Sequence, residues 1–230
     1  MAQVHVFVAE VDHPELADVD RHHLERVLRI RPGEEVTVSD GQGGWRGCRF
    51  DRGGVLVPVG DVSHRPAPTP AVAVAFALAK GERPDWVVQK LTEAGVDRIV
   101  PFVAGRSVVR WDGEKGLRRI ERWRAIARAA AMQSRRAWLP VVDNLCSFEV
   151  AVTSVSPHAA LAHPGGQPPS LDRPAVLVGP EGGWSEEELA CGLPLVGFGP
   201  TILRAETAAL AAGLLLCALR EHIVQSAASP

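Results

Sequence analysis

The stretch Val178-Gly179-Pro180-Glu181-Gly182-Gly183-Trp184-Ser185 sets one carboxylate among three glycines and a proline, between an apolar run (AVLV) and an acidic one (EEEL). Glycine and proline punctuate turns, so one reading is simply a chain leaving a strand. The other is that missing side chains let a ligand lie against the backbone, the usual reason for glycine clusters at the carboxyl ends of strands in open α/β sheets. The loop lacks both the G-K-[ST] of a nucleotide phosphate loop and the G-x-G-x-x-G of a dinucleotide site, and GFGPTI at 197–202 misses the latter at its last position. Nucleotide hydrolysis and hydride transfer therefore have no support. A second charged element, Leu203-Arg204-Ala205-Glu206-Thr207, is flanked by apolar sequence, and is either a structural ion pair or part of a site.

Basic residues form a third element. Between Arg106 and Arg136 there are nine arginines and one lysine against three acidic residues, in a chain whose formal net charge is −2. Such a segment is either a solvated helix face or the footprint of a polyanionic partner. The preference for arginine favours the second, because the planar guanidinium suits bidentate contact with phosphate. Metal chemistry is not indicated: the four cysteines are scattered without a C-x-x-C pair, and adjacent His22 and His23 point in different directions on a helix. The first residues carry no secretory pattern, and the longest apolar run, Ala208 to Leu219, is too short to span a bilayer, so a cytoplasmic location is expected.

The elements that position these residues fall into two groups. Residues 1 to about 65 read as short strands between turns: VHVFVAEV alternates, HHLERVLRI makes one or two helical turns, EEVTVSDGQGGWRGCRF is a glycine-linked hairpin, and VLVPVGDV adds a strand. A small β-barrel fits this pattern better than a βαβ unit. The proline-rich RPAPTP at 65–70 is a linker, which divides the chain into domains at 1–68 and 69–230. After it, AVAVAFALA is a strand buried on both faces, followed by a helix at about 84–94, the strand RIVPFVA and a long amphipathic helix at about 115–134. Strands near Ala159–Ala162 and Ala175–Val178, a helix opening at Ser185, a short LVGFG strand and a last helix from about Ala205 to His222 complete the pattern. Alternating strands and helices mean a parallel α/β sheet. Ser185 and Glu188 form an S-x-x-E capping box, so the glycine loop lies between a strand end and a helix amino terminus, where such sheets bind anions and cofactors. The alanines and Gly213 of the last helix reflect helix propensity, a crowded core or a tight subunit interface.

With these residues in place, the chain resembles the 16S ribosomal RNA uridine-N3 methyltransferases, the RsmE family of the SPOUT superfamily. The resemblance runs in order through HHLERVLRIRPGEEVTVSDGQGG at 22–44, KGERPDWVVQKLTEAGVDRIVPF at 80–102, RWRAIARAAAMQSRRAWLP at 122–140, VGPEGGWSEEEL, and FGPTILRAETAAL. Two positions depart from the family: Met132 stands before Gln133-Ser134 where an acidic residue is common, and His5 stands where an arginine often accompanies the first strand.

The resemblance implies an α/β domain with a carboxyl-terminal trefoil knot, a PUA-like barrel before it, a homodimer, and S-adenosyl-L-methionine held in the knot with no metal. It implies methylation of N3 of a uridine in the decoding region near the 3′ end of small-subunit ribosomal RNA. Cofactor contacts are then expected from Leu177, Val178, Gly179, Gly182, Gly183, Gly199, Ile202 and Leu203. Arg204 is expected to face the substrate, Glu206 to orient Arg204 or act as base, and Glu181 to order the loop or contact substrate. RNA phosphates are expected at Arg106, Arg110, Arg135 and Arg136, and on the barrel domain at Arg26, Arg29 and Arg31. A non-catalytic RNA-binding module would not need the glycine loops, and an enzyme acting on a small anionic metabolite would not need the barrel or the basic helix. The residues themselves do not distinguish a base from a ribose as the methylated group.

Overall fold

Two compact units make up the computed structural model, which describes residues 4–79, 83–107 and 113–225. The first unit is Met1–Ala67 together with Ala131–Leu139, and the second is Pro68–Ala130 with Pro140–Pro230. A cut at residue 68 therefore leaves out one return: the segment 131–139 belongs with the amino-terminal unit.

In the first unit β1 (Val4–Phe7), β2 (Glu35–Ser39), β3 (Gly44–Asp51) and β4 (Val55–His64) form a sheet in that order, with β1 parallel to β2 and the other pairs antiparallel. The expected hairpin is the β2–β3 pair. The helical turns begin earlier than the HHLERVLRI reading placed them, as α1 (Asp18–His22) running into a π-helical turn at His23–Val27. Leu24 from that turn is buried with Val6, Val36, Val38 and Phe50, and Met132 packs against the same cluster. The unusual methionine thus serves an apolar core.

His5, the other departure, is buried too. Its ring stacks on Trp45 with centroids 4.4 Å apart, Nδ1 lies 3.0 Å from Thr37 Oγ1, and Nε2 lies 3.1 Å from Ser39 Oγ. Burial, reinforced by the charges of Arg65 and Arg135 and opposed by a hydrogen bond with the Arg136 backbone, lowers its pKa from 6.5 to about 4. The neutral ring is therefore a core group. Between those two values the unfolded chain binds a proton that folded His5 refuses, so stability is full above pH 6.5 and declines as pH falls toward 4. The expected slope is up to about 1.4 kcal/mol per pH unit. Urea unfolding midpoints across this range should show it, with a flatter profile for His5→Asn.

The second unit is a seven-stranded, wholly parallel sheet. Its strands are β5 (Ala73–Ala77), β6 (Arg98–Val103), β7 (Val141–Val142), β8 (Cys146–Ser147), β9 (Ala159–Gln167), β10 (Ala175–Val178) and β11 (Leu195–Val196). The order is β11-β9-β10-β5-β6-β7, with β8 also on β6. Central β5 and β10 are buried at every position, which explains their continuous apolar sequence. Helices α2 (Arg83–Ala94), α3 (Gly113–Gln133), α4 (Phe148–Val155), α5 (Glu186–Leu189) and α6 (Ala205–Arg220) connect or follow the strands. Trp123 of α3 is fully buried and satisfies its indole by donating to Asp85 Oδ1 at 2.7 Å. Gly213 settles one question about α6: a side chain there would come within 2.8 Å of Leu91 and Val96, so the small residue serves close packing on α2. Among the described residues no helix is long and apolar enough to cross a membrane.

Candidate active site

Three neighbouring parallel strands, β11, β9 and β10, end on the same side of the second unit's sheet, and the loops leaving them enclose a cavity of about 560 Å³. That size lies within the range of roughly 300–1,000 Å³ typical of small-molecule sites. The floor comes from Ala162, His163 and Pro164 of β9, one wall from Val178–Glu181 with Gly183 and Trp184, and the other from Phe198–Ala205. This is the crevice beyond strand carboxyl ends where open α/β sheets take ligands.

The chemistry of each loop follows from its sequence. Gly179 lies against the indole of Trp184, and a side chain there would come within 2.9 Å of the ring. Trp184 is held by stacking on Phe102, centroids 6.1 Å apart, and by an Nε1 hydrogen bond to the Ala162 carbonyl at 2.9 Å. Gly182 accommodates a different neighbour, since its missing side chain faces Arg106, whose Nη1 donates to the Gly182 carbonyl at 3.3 Å. Gly183 and Gly199 instead adopt φ of +72° and +135°, with open space where a side chain would stand. The glycine cluster therefore has two causes, internal packing at 179 and 182 and backbone shape beside the cavity at 183 and 199.

The loop's exit is rigid. Ser185 Oγ accepts from Glu188 N at 3.2 Å and Glu188 Oε2 accepts from Ser185 N at 2.8 Å, the expected capping box. Glu188 Oε1 also accepts from Gly105 N at 2.8 Å, joining this helix start to the end of β6.

Charged groups gather beside the cavity. Arg204 is the N-cap residue of α6, lines the cavity, and is exposed, with no ion-pair or side-chain hydrogen-bond partner among the described residues. Glu206, two residues on, does not pair with it. Its cation is Arg83 at the start of α2, whose Nε lies 3.7 Å from Glu206 Oε1 while Nη1 lies 2.6 Å from Glu181 Oε1. Glu206 Oε2 is buried without a hydrogen-bond partner among the described residues, and Glu206 lines a space of only about 10 Å³ beside the main cavity.

Val178, Gly179, Gly183, Gly199, Ile202, Leu203, Arg204 and Glu181 thus meet around one cavity, and exposed Ile202 forms part of its lip. Leu177 and Gly182 are not in its lining: Leu177 points into the core cluster with Val100 and Phe102. Sequence reasoning missed Arg83, although it sits in the KGERPDW motif, because nothing local indicates partners about a hundred residues away. His163 and Trp184 were also missed as cavity residues.

A family model described as an RNA methyltransferase domain matches residues 65–216, and another, an RNA methyltransferase PUA domain, matches residues 16–57. The ribosomal RNA small subunit methyltransferase E of Mycobacterium bovis is 37% identical over 210 residues, covering 83% of this chain and 80% of the relative. Its namesake from Bacillus subtilis is 33% identical over 219 residues, covering 82% and 83%. The chain belongs to the ribosomal RNA small subunit methyltransferase E family. A solved structure of this methyltransferase from Neisseria gonorrhoeae, bound to S-adenosyl methionine, superposes with a TM-score of 0.79 at 30% identity, over 94% of this chain and 98% of that one.

In this methyltransferase the basic residues fall into distinct settings. Arg26, Arg29 and Arg31 are exposed on the helical turn of the first unit and just after it, and Arg135 and Arg136 belong to the same unit through the 131–139 return. Arg106 is exposed in the second unit beside the glycine loop, and Arg110 lies outside the described residues. Several α3 arginines have carboxylate partners within the second unit: Arg122 with Asp85 at 2.8 Å, Arg124 with Glu121 at 2.6 Å, and Arg118 with Glu114 at 3.4 Å. The arginine excess in this helix is partly structural. No cluster of three or more His, Cys, Asp or Glu suited to a metal ion occurs among the described residues.

Proposed function

We propose that this methyltransferase uses S-adenosyl-L-methionine to methylate N3 of a uridine in 16S ribosomal RNA, in the decoding region near the 3′ end. The observation that carries the reading is the cavity bounded by two glycine-bearing loops, with Arg204 at its wall and without a side-chain partner among the described residues. The lining fits the cofactor: it is mostly apolar, shaped by backbone at Gly183 and Gly199, and large enough for a nucleoside with an amino-acid tail. Val178, Gly179, Gly199, Ile202 and Leu203 would hold it, with Gly183 shaping the turn.

The bound cofactor supplies an activated methyl group on sulfonium sulfur. The protein's part is to place a base edge beside it. Uridine N3 lies on the Watson–Crick edge, so the target nucleotide is presented unpaired or flipped. Arg204, exposed beside the cavity, places its cation near the uracil oxygens, where it stabilises the charge that develops as N3 gives up its proton to solvent water. Glu206, paired with Arg83 beside the cavity, has the part of holding the start of α6. Holding nucleophile and methyl group in line is the main remaining contribution.

The architecture we propose includes a PUA-like barrel built on the first unit's sheet, a SPOUT-type trefoil knot at the carboxyl-terminal segment, and a cytoplasmic homodimer acting on RNA in the small ribosomal subunit. The family resemblance supports all of these.

Calorimetric titration with S-adenosyl-L-methionine tests the cofactor assignment. Saturable binding by the free protein is expected, and its absence from the folded protein, with and without RNA, would contradict it. RNA binding is assigned to the first unit's arginines. Joint replacement of Arg26, Arg29 and Arg31 by glutamine should weaken RNA binding and flatten its salt dependence by about 0.7 to 0.9 in log–log slope per lost phosphate contact. Filter binding across a salt series, with unchanged cofactor affinity, checks it.

A further inference from the structure

Arg83 joins three elements that surround the candidate site. It opens α2, its neighbour Pro84 is buried in the first helical turn, and its guanidinium reaches Glu181 on the glycine loop and Glu206 in the first turn of α6. Two different nitrogens make the two contacts, Nη1 to Glu181 and Nε to Glu206. Lysine has a single ammonium and cannot reproduce this fork.

We propose that Arg83 is a positioning residue for methyl transfer, acting through Glu206 on the backbone that carries Arg204. The inference rests on the methyltransferase reading above. Glu206 is largely buried, with 17% of its side chain exposed, and Oε2 has no partner among the described residues. A carboxylate withdrawn from water keeps its place only if a cation or donors compensate. Arg83 is the cation that does so among the described residues. Glu206 lies two residues beyond Arg204, so a carboxylate that loses its cation and turns toward water disturbs the start of α6 and the direction of the Arg204 side chain. The other arm, Arg83 to Glu181, is 45% and 42% exposed and contributes little to stability. Its effect is to tie the glycine loop to the same anchor, so both walls of the cavity are referred to one guanidinium.

The test is steady-state kinetics on small-subunit RNA for wild type, R83Q, R83K, E206Q and R83Q/E206Q, with cofactor Kd by calorimetry and Tm alongside. R83Q is expected to lower kcat by about 10- to 100-fold, the scale of a small misplacement of reacting groups, with a smaller rise in cofactor Kd and a modest fall in Tm. R83K should recover part of the loss. The double variant should be no slower than the slower single one, because both substitutions remove the same link. Multiplying effects of R83Q and E206Q, or a loss confined to Kd or Tm with kcat intact, overturns the proposal. An active wild type with an unaltered R83Q overturns this proposal alone, and a wild type that transfers no methyl group overturns it together with the methyltransferase reading.

Discussion

Replacing Arg204 with glutamine is expected to lower kcat by about 10²- to 10³-fold, the effect of removing one preorganised group that meets charge developing in a transition state. Cofactor Kd should stay within about twofold of wild type. Arg204 is an N-cap residue whose side chain makes no capping hydrogen bond, so its backbone is fixed by α6 while its guanidinium remains available at the cavity. An arginine whose function was structural would have a partner, as Arg220 does in Asp97 and in the carbonyls of Pro70 and Gly95. Single-turnover measurements with saturating cofactor and RNA isolate the chemical step. A rise in KM with kcat unchanged would show instead that Arg204 only helps to bind RNA.

Gly199→Val should raise the Kd for S-adenosyl-L-methionine by about ten- to a hundredfold. Gly199 has φ of +135°, a region nearly closed to residues with a side chain, and it lines the cavity. Forcing a branched residue there costs about 1–3 kcal/mol of backbone strain, relieved only if the loop moves away from the shape that receives the ligand. Each 1.4 kcal/mol is about a tenfold change in affinity. The space around the position is open, but the backbone strain remains, so Tm should fall by about 2–4 °C for each kcal/mol of it. Gly182→Val makes a contrasting control, because its side chain would press on Arg106 rather than enter the cavity. Calorimetry on both variants separates the two causes of the glycine cluster, and equal losses at 182 and 199 would contradict the division.

What could be read from the chain was what is local. The capping box at Ser185 and Glu188 needed only spacing, and both of its hydrogen bonds are present. The buried strands at Ala73–Ala77 and Ala175–Val178 were visible as unbroken apolar runs, and the two loops were correctly placed at strand ends. Partners distant in sequence were not visible. Glu206 was expected to orient Arg204 or act as base, and nothing local showed that its carboxylate pairs with Arg83 from another helix. Gly179 gave no sign that an indole five positions later occupies the space its missing side chain leaves. The return of 131–139 to the first unit was hidden for the same reason: a helix pattern continues through Ala131–Gln133 whichever unit its end packs in. Helix α4, begun by Ser147 accepting from Val150 N, lay in a stretch whose short apolar pattern does not discriminate helix from strand.

The most direct test of the central claim is nucleoside analysis by mass spectrometry after the purified protein, S-adenosyl-L-methionine and unmodified small-subunit RNA, free or in the assembled subunit, are incubated together. The expected new nucleoside is 3-methyluridine, dependent on the cofactor and greatly reduced with Arg204→Gln. A methyl group found on a ribose or on another base position, or no transfer to either form of the RNA by a protein shown to bind the cofactor, would contradict it.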